Sequence, residues 1–216
     1  MTPTGGGGDV VAPGDVLKAA GALEALGQAP DGSPRWDTPA APTTWTAART
    51  LGHIADALVF YAGQVACRAD RRLPALRDGR DAPPGEQLAD VGTAAHVLAG
   101  QLRDLGDGRA WHPSGLADAT GWAGMAVTEL LVHGHDAARA LHVPLSLPPD
   151  VCARTLARVF PWVGAEDAPP PARLLAVTGR ADLPGVPHDP DWWWQSAPLA
   201  EWDGRPRRRT APPAWR

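Results

Sequence analysis

The segment TELLVHGHDAARAL, residues 128–141, has the pattern of a buried helix and still carries several ionisable side chains. Glu129, His133, His135 and Asp136 fall within eight consecutive positions of it. Carboxylates are almost never fully buried unless they are paired or bound to a metal. The segment is therefore either an ordinary solvated helix face or one wall of a functional site.

Helical geometry separates these side chains into two groups. At about 100° per residue, Glu129 and His133 project from one face, about 40° apart and about 6 Å apart along the axis. Trp122 and Asp136 share that face. His135 points about 200° away from His133, so the His-Gly-His pair cannot close on one ion from a regular helix. The pair that can hold a cation is Glu129 with His133.

A carboxylate oxygen and an imidazole nitrogen one turn apart are suitable ligands for a divalent ion such as Zn²⁺. Ligand sites in helix bundles are built from facing helices, so a third ligand should come from another helix. The candidates are His53 and His96, and His53 is better placed because it lies mid-helix in an otherwise apolar neighbourhood. A site of two histidines and one carboxylate is typical of catalytic zinc and of non-haem iron.

Two simpler interpretations remain open at this point. Glu129 and His133 could form an ordinary solvated pair on a helix surface. His53 could be a core histidine whose ring is satisfied by one hydrogen bond.

Apolar periodicity and Pro/Gly punctuation predict five helices, at about 15–27, 44–70, 85–105, 118–142 and 149–163. The segment PARLLAVTGR, residues 171–180, fits either a helix or a strand. Since no convincing series of alternating strands is present, we expect an all-α protein. Its architecture would be an up-down four-helix bundle with an extra C-terminal helix and an irregular Trp-rich tail.

The chain divides into three expected regions. Residues 1–14 form a glycine-rich lead expected to be disordered, residues 15–180 the helical bundle, and residues 181–216 the irregular tail. The tryptophans of the tail, Trp192, Trp193 and Trp194, would either pack back on the bundle or form a contact surface, because aromatic residues are enriched at interfaces.

Composition excludes several classes of protein. The length of 216 residues and a hydrophobic fraction of 44% fit one domain with a sizeable core. A net charge of −4 argues against nucleic-acid binding, and the basic run RPRRRT, residues 205–210, is interpreted as a solvated tail. No apolar run reaches the roughly 18 residues that a membrane span needs. Cys67 and Cys152 form no CxxC pair, which together with the absence of a signal-peptide pattern predicts a cytoplasmic protein.

Three segments resemble one known family. Residues 45–62, WTAARTLGHIADALVFYA, resemble the second-helix signature of DinB-like (YfiT-like) four-helix bundles, in which a Trp-Thr opening precedes a His and then an apolar residue, Ala and Asp. Residues 129–141, ELLVHGHDAARAL, resemble the fourth helix of the actinobacterial mycothiol-dependent maleylpyruvate isomerase branch, and residues 172–180, ARLLAVTGR, its closing segment. The resemblance extends over about residues 15–180.

This resemblance implies a metal site and a reaction class. His53, Glu129 and His133 would be the metal ligands, usually for zinc, with nickel and iron as alternatives. Mycothiol would be the thiol cofactor, and its sulfur would bind the ion, where a thiol is deprotonated at neutral pH. The thiolate would attack a small electrophile, as in an isomerase or an S-transferase.

Other residues receive roles around this site. Asp136 would either orient a ligating histidine or be an ordinary charge on the helix surface. His135 stands where the branch usually has Trp, and it would either alter the wall behind the metal or add a proton carrier. Arg49 and Arg139 would make the pocket positive for a substrate with carboxylates, although each could equally pair with a nearby Asp. Trp122 is placed beside the cofactor because it shares the ligand face.

The sequence leaves alternatives to this function. The same ligands would serve a metal-dependent hydrolase, with water at the open position. A non-enzymatic helical protein that binds a ligand or partner through its tail is the third interpretation. Only residues 181–216 follow the bundle, so the larger C-terminal domain of the isomerase is not expected, which weakens maleylpyruvate as the substrate. Homodimerisation is compatible with a bundle of this kind.

Overall fold

A computed structural model describes residues 10–75, 82–164, 167–186 and 189–209 of the chain. Its helices are α1 (Pro13–Ala22), α2 (Ala47–Ala66), α3 (Pro84–Leu105), α4 (Ala119–Leu141), α5 (Pro149–Val159) and α6 (Pro170–Val177). A two-stranded antiparallel hairpin, β1 (Ala110–His112) and β2 (Gly115–Ala117), precedes α4. Short 3₁₀ turns cover Leu23–Gln28, Pro34–Asp37 and Leu199–Glu201.

The predicted all-α class is confirmed, and the ambiguous segment 171–180 lies largely in α6. The hairpin was not predicted, because strands of three residues are too short to show an alternating pattern. Residues 1–9 of the expected disordered lead lie outside the described residues. Val11, in the described remainder of the lead, is fully buried.

The two helices that carry the candidate ligands have well-defined beginnings. Thr46 caps α2, since its Oγ1 accepts a hydrogen bond from the Arg49 backbone N–H at 3.1 Å. Asp118 caps α4 in the same way, with its Oδ1 accepting from the Gly121 N–H at 2.8 Å. The helix thus begins slightly later than the predicted start at about 44, and the Thr43 hydroxyl donates to the Ala40 carbonyl in the preceding loop.

Helices α1 to α4 form the bundle, and α1 and α2 occupy opposite corners of it. Both α1 and α2 pack against α3 and α4. Leu23, just beyond the end of α1, lies against Gly134, and Val11, just before its start, lies near Gly124. Because these contacts follow the same order in both segments, α1 and α4 run in the same direction.

Helices α2 and α3 also run parallel to each other. The Arg68 guanidinium, after the end of α2, donates to the Asp104 carbonyl near the end of α3 at 3.1 Å. At the other end, Gly52 faces the side chain of Gln87. Chain direction therefore alternates from α1 to α2 and from α3 to α4 but not from α2 to α3. The helical bundle is as predicted, but its order is not the strictly alternating up-down order. The end of α2 and the start of α3 therefore lie at opposite ends of the bundle.

The tail packs back onto the bundle, which was one of the two arrangements that the sequence left open. Trp193 and Trp194 are buried, and the Gln195 N–H donates to the Val159 carbonyl at 3.0 Å. In the basic run, Arg208 Nε pairs with Asp189 Oδ2 at 2.6 Å inside the tail itself. Among the described residues, no helix combines the length and the apolar character that crossing a bilayer requires.

Candidate metal centre

Helices α2 and α4 bring together the three residues that the sequence suggested as ligands. The Nε2 of His53 on α2 lies 3.4 Å from the Oε2 of Glu129 on α4. The Nε2 of His133, one turn further along α4, lies 3.2 Å from the same oxygen. One ligand atom from each of the three residues lies within 4.8 Å of those of the other two. His53 and Glu129 are buried, and His133 is half-buried.

These distances suit a divalent cation. Metal–nitrogen bonds of 2.0–2.1 Å and metal–oxygen bonds of 2.0–2.2 Å put neighbouring ligand atoms of a tetrahedral zinc site about 3.3–3.5 Å apart. The observed separations of 3.4 and 3.2 Å are close to that spacing. Three protein ligands of this type leave a fourth position for a water, a thiol or a substrate, as catalytic zinc sites do. His96, the other candidate, is exposed on α3, with its Nδ1 2.9 Å from the Gly92 carbonyl.

Without a cation, the charges of the cluster compensate one another. Burial raises the pKa of Glu129, but the hydrogen bonds and charges of His133 and His53 outweigh burial and hold it below its ordinary value. Burial lowers the pKa of His133, whereas Asp136 and Glu129 raise it, with a net rise to about 9. Because histidine binds metals in its neutral form, a cation entering this site has to displace the His133 proton.

A buried carboxylate stands behind His133. The Oδ2 of Asp136 lies 3.4 Å from the His133 Nδ1, close enough for electrostatic attraction but not aligned as a hydrogen bond. Arg180 holds this carboxylate with two bonds, Nε to Oδ1 at 3.2 Å and Nη2 to Oδ2 at 2.7 Å. This attraction favours the ring orientation in which Nδ1 lies towards Asp136 and Nε2 towards Glu129. Asp136 has the surroundings expected of an orienting residue.

A cavity of about 750 Å³ opens onto the three candidate ligands. Its other walls come from the loop before α2 (42–45), the segment after α6 (178–180) and the tail, including Trp192, Trp193 and Arg209. This volume lies within the roughly 300–1,000 Å³ typical of small-molecule sites. The cluster therefore has a built space beside it in which an organic ligand fits.

Comparison with known families gives one match. A family model described as the mycothiol maleylpyruvate isomerase N-terminal domain matches residues 16–138. The chain belongs to this DinB-like family. The family predicted from the sequence is thereby confirmed. Comparisons with curated proteins and with solved structures gave no match.

The matched part of this mycothiol maleylpyruvate isomerase N-terminal domain contains His53, Glu129 and His133, and the family is known for metal binding. It ends at position 138, so α5, α6 and the tail lie beyond it. Part of the cavity wall therefore comes from segments outside the matched domain, namely 178–180 and the tail.

Sequence reasoning missed three residues of this site in this family member, two that contact a candidate ligand and one that holds Asp136. The Tyr61 hydroxyl donates to the Glu129 Oε1 at 3.1 Å. Burial and the charge of Glu129 raise the pKa of Tyr61 well above its ordinary value, so the hydroxyl keeps its proton. The Trp45 ring lies 4.5 Å from the His53 ring between centroids, and Arg180 holds Asp136. Trp45 and Tyr61 lie in the second-helix signature and Arg180 in the closing segment. Their places in these family-like segments were the only indication in the sequence that they belong to the site.

Trp122 lies behind Tyr61 rather than on the cavity wall. It is fully buried, with its ring 5.0 Å from the Tyr61 ring and 5.3 Å from the His112 ring. A residue on the ligand face of α4 can therefore be covered completely by α2 and the hairpin. Trp122 supports the aromatic group that bonds Glu129 and does not reach the cavity.

His135, Arg139 and Arg49 also do not line the cavity within the described part of the chain. His135 is half-buried on another face of α4, where burial lowers its pKa. Arg139 is exposed, and Arg49 lies 3.8 Å from Asp56 with its guanidinium 5.8 Å above the Trp45 ring. The surface pairing with an Asp, one of the two interpretations of Arg49, is what the structure contains.

Proposed function

We propose that the chain binds one divalent metal ion, in the first instance zinc, on His53, Glu129 and His133. With it the protein activates a low-molecular-weight thiol for attack on a small electrophile, as an S-transferase or an isomerase. The observation that supports this proposal is the convergence of the three ligand atoms at the wall of a cavity of about 750 Å³. Mycothiol is the proposed thiol because the matching family is named for it.

When bound, the ion would lower the pKa of a coordinated thiol so that the thiol is present as its thiolate. Two neutral imidazoles and one carboxylate leave one net positive charge on a divalent site, and this charge favours an anionic ligand. Asp136, held by Arg180, keeps the His133 ring in the orientation that the site needs. The protein residues thus hold the ion, balance its charge and leave one position for the thiol.

The proposed electrophile is flat and acidic. Trp192, Trp193 and Trp194 give the cavity an aromatic wall, and the Arg209 guanidinium lies 4.9 Å above the Trp193 ring. An aromatic wall excludes water, and a cation attracts a carboxylate. These groups lie in the tail, so this part of the proposal assigns substrate contact to the region beyond the matched domain.

Metal analysis of the purified protein tests the site. We expect about one equivalent of metal in the wild type and none in His53→Ala, because removal of a ligand from a three-ligand site lowers affinity drastically. His96→Ala is the matched control, since this exposed histidine lies on α3 and should leave the metal content unchanged. Full metal occupancy in His53→Ala would rule the site out.

Turnover assays on zinc-loaded protein test the reaction. We expect consumption of an unsaturated keto acid such as maleylpyruvate to require both zinc and mycothiol. Zinc-dependent turnover of ester or amide substrates without thiol would favour a hydrolase on the same ligands. A metal-free protein whose melting temperature does not respond to zinc would favour a non-enzymatic binding role.

A further inference from the structure

The two carboxylate oxygens of Glu129 face different groups. Its Oε2 lies 3.4 Å from the Nε2 of His53 and 3.2 Å from the Nε2 of His133. Its Oε1 accepts a hydrogen bond from the Tyr61 hydroxyl at 3.1 Å. Glu129 and Tyr61 are both buried. One oxygen therefore belongs to the candidate metal cluster, and the other is already occupied.

This division decides how many bonds the carboxylate can make to a cation. A carboxylate ligand binds through one oxygen or through both. Binding through both would raise the coordination number and fill the space that an incoming ligand needs. Turning Oε1 towards the cluster would also leave a buried hydroxyl of Tyr61 without its partner, which is unfavourable.

Tyr61 is held firmly in the position from which it bonds Glu129. Its ring meets the Trp122 ring edge to face at 5.0 Å and the His112 ring at 6.0 Å. Trp122 is itself fully buried. Tyr61 also lies two turns after His53 on α2, so one helix carries both a candidate ligand and the group that restrains Glu129.

We propose that Tyr61 is a positioning residue that holds Glu129 as a one-oxygen ligand and thereby keeps one metal position open for an exogenous thiol. This inference rests on the proposed metal site and adds to it the device that keeps the site open.

Cobalt substitution tests the inference directly. Four-coordinate Co²⁺ absorbs visible light several times more strongly than five- or six-coordinate Co²⁺, so its spectrum reports the coordination number. In Tyr61→Phe, Glu129 becomes free to bind through both oxygens, and we expect the visible absorption of the Co²⁺ protein to fall severalfold. We also expect the affinity for 2-mercaptoethanol, followed by its sulfur-to-cobalt band, to fall by about 10-fold or more.

Phe60→Leu is the matched control. Phe60 neighbours Tyr61 in the chain, with ring centroids 6.2 Å apart, and has no polar group to offer Glu129. This variant should disturb aromatic packing but keep the wild-type cobalt spectrum and thiol affinity. If Tyr61→Phe keeps the wild-type spectrum and thiol affinity, the role of Tyr61 is refuted and the proposed metal site is not affected. If the wild type binds no Co²⁺, both the role of Tyr61 and the proposed function are refuted.

A second measurement does not depend on the Tyr61 substitution. Tyr61 is the only tyrosine of the chain, so protein labelled with ¹³C at tyrosine Cζ gives one tyrosine resonance. We expect Glu129→Gln to shift this resonance, because a neutral amide replaces a charged acceptor. Addition of zinc to the wild type should leave the resonance at the chemical shift of a hydrogen-bonded hydroxyl. Identical resonances in wild type and Glu129→Gln would show that the hydroxyl does not bond this carboxylate.

Discussion

Replacement of Arg158 by methionine should release the tail from the bundle. Arg158 lies on α5, and its side chain is only 5% exposed. Its guanidinium donates to the Gln195 carbonyl at 2.9 Å and the Ser196 carbonyl at 3.0 Å, both in the tail. It also bonds the Thr120 Oγ1 and the Asp118 Oδ1, each at 2.7 Å, at the start of α4. One side chain thus ties the tail, α5 and α4 together.

The size of the effect follows from what the substitution leaves behind. Removal of one partner of a buried ion pair costs about 3–5 kcal/mol, because the other charge stays buried without compensation. The Asp118 side chain is 28% exposed, so water can replace part of the lost interaction. Two buried tail carbonyls would lose a charged donor as well. We therefore expect a loss of unfolding free energy near the lower end of that range, about 3 kcal/mol.

Urea unfolding measures the stability. Acrylamide quenching reports the exposure of all 10 tryptophans, which rises when buried ones such as Trp193 and Trp194 are released. Arg154→Met is the control, because Arg154 lies one turn earlier on α5 and bonds Asp15 and Asp150 rather than the tail. Both variants should be less stable than the wild type, but only Arg158→Met should show increased quenching. A loss below about 1 kcal/mol in Arg158→Met, with unchanged quenching, would show that apolar packing alone holds the tail.

Three further predictions concern other parts of the fold. Burial lowers the pKa of His112 from 6.5 to about 3, so below pH 6.5 only the unfolded chain takes up this proton and stability falls with the pH. The loss of unfolding free energy should reach about 2 kcal/mol at pH 5 in metal-free protein. Urea titrations at pH 7 and pH 5 measure it, and His112→Phe should remove it. An equal difference in unfolding free energy between the two pH values in both proteins would contradict the argument. A Cβ at Gly134 would lie 2.9 Å from the Leu23 Cδ1, so Gly134→Ala should cost about 1–3 kcal/mol. Gly100→Ala, with nothing within 4 Å, should gain up to about 1 kcal/mol, and urea titrations measure both glycine variants. Zinc at about 100 times its Kd should stabilise the wild type by about 2.7 kcal/mol and leave Glu129→Gln unaffected; equal stabilisation of both would place the zinc elsewhere.

Part of the site could be predicted because it depends on local geometry. Glu129 and His133 are four residues apart on a helix, and this spacing alone puts them on one face. The same geometry separates His135 from His133, and in the structure His135 does not line the cavity. The choice of His53 over His96 needed the apolar pattern of a whole helix, because no spacing rule connects α4 to residues on other helices. The family resemblance then pointed to the same histidine.

Other parts of the site depend on contacts between residues far apart in the chain. Tyr61 and Glu129 are separated by 68 positions, and Arg180 and Asp136 by 44. No periodicity within one helix reports such pairs, and this is why Tyr61 and Arg180 were missed. Trp122 shows the converse error, since a position on the ligand face was taken to border the cofactor, whereas α2 and the hairpin cover it.

The amino-acid sequence by itself determined the all-α class, the main helices and the pairing of a carboxylate with an imidazole on α4. These features follow from hydrophobic periodicity and helix-terminating residues, which act over a few neighbouring positions. Only the tertiary structure decided that α2 and α3 run parallel, that the tail closes the cavity and that Tyr61 takes one oxygen of Glu129. Those features arise from packing and buried hydrogen bonds between distant segments, whose free energy depends on the complete fold.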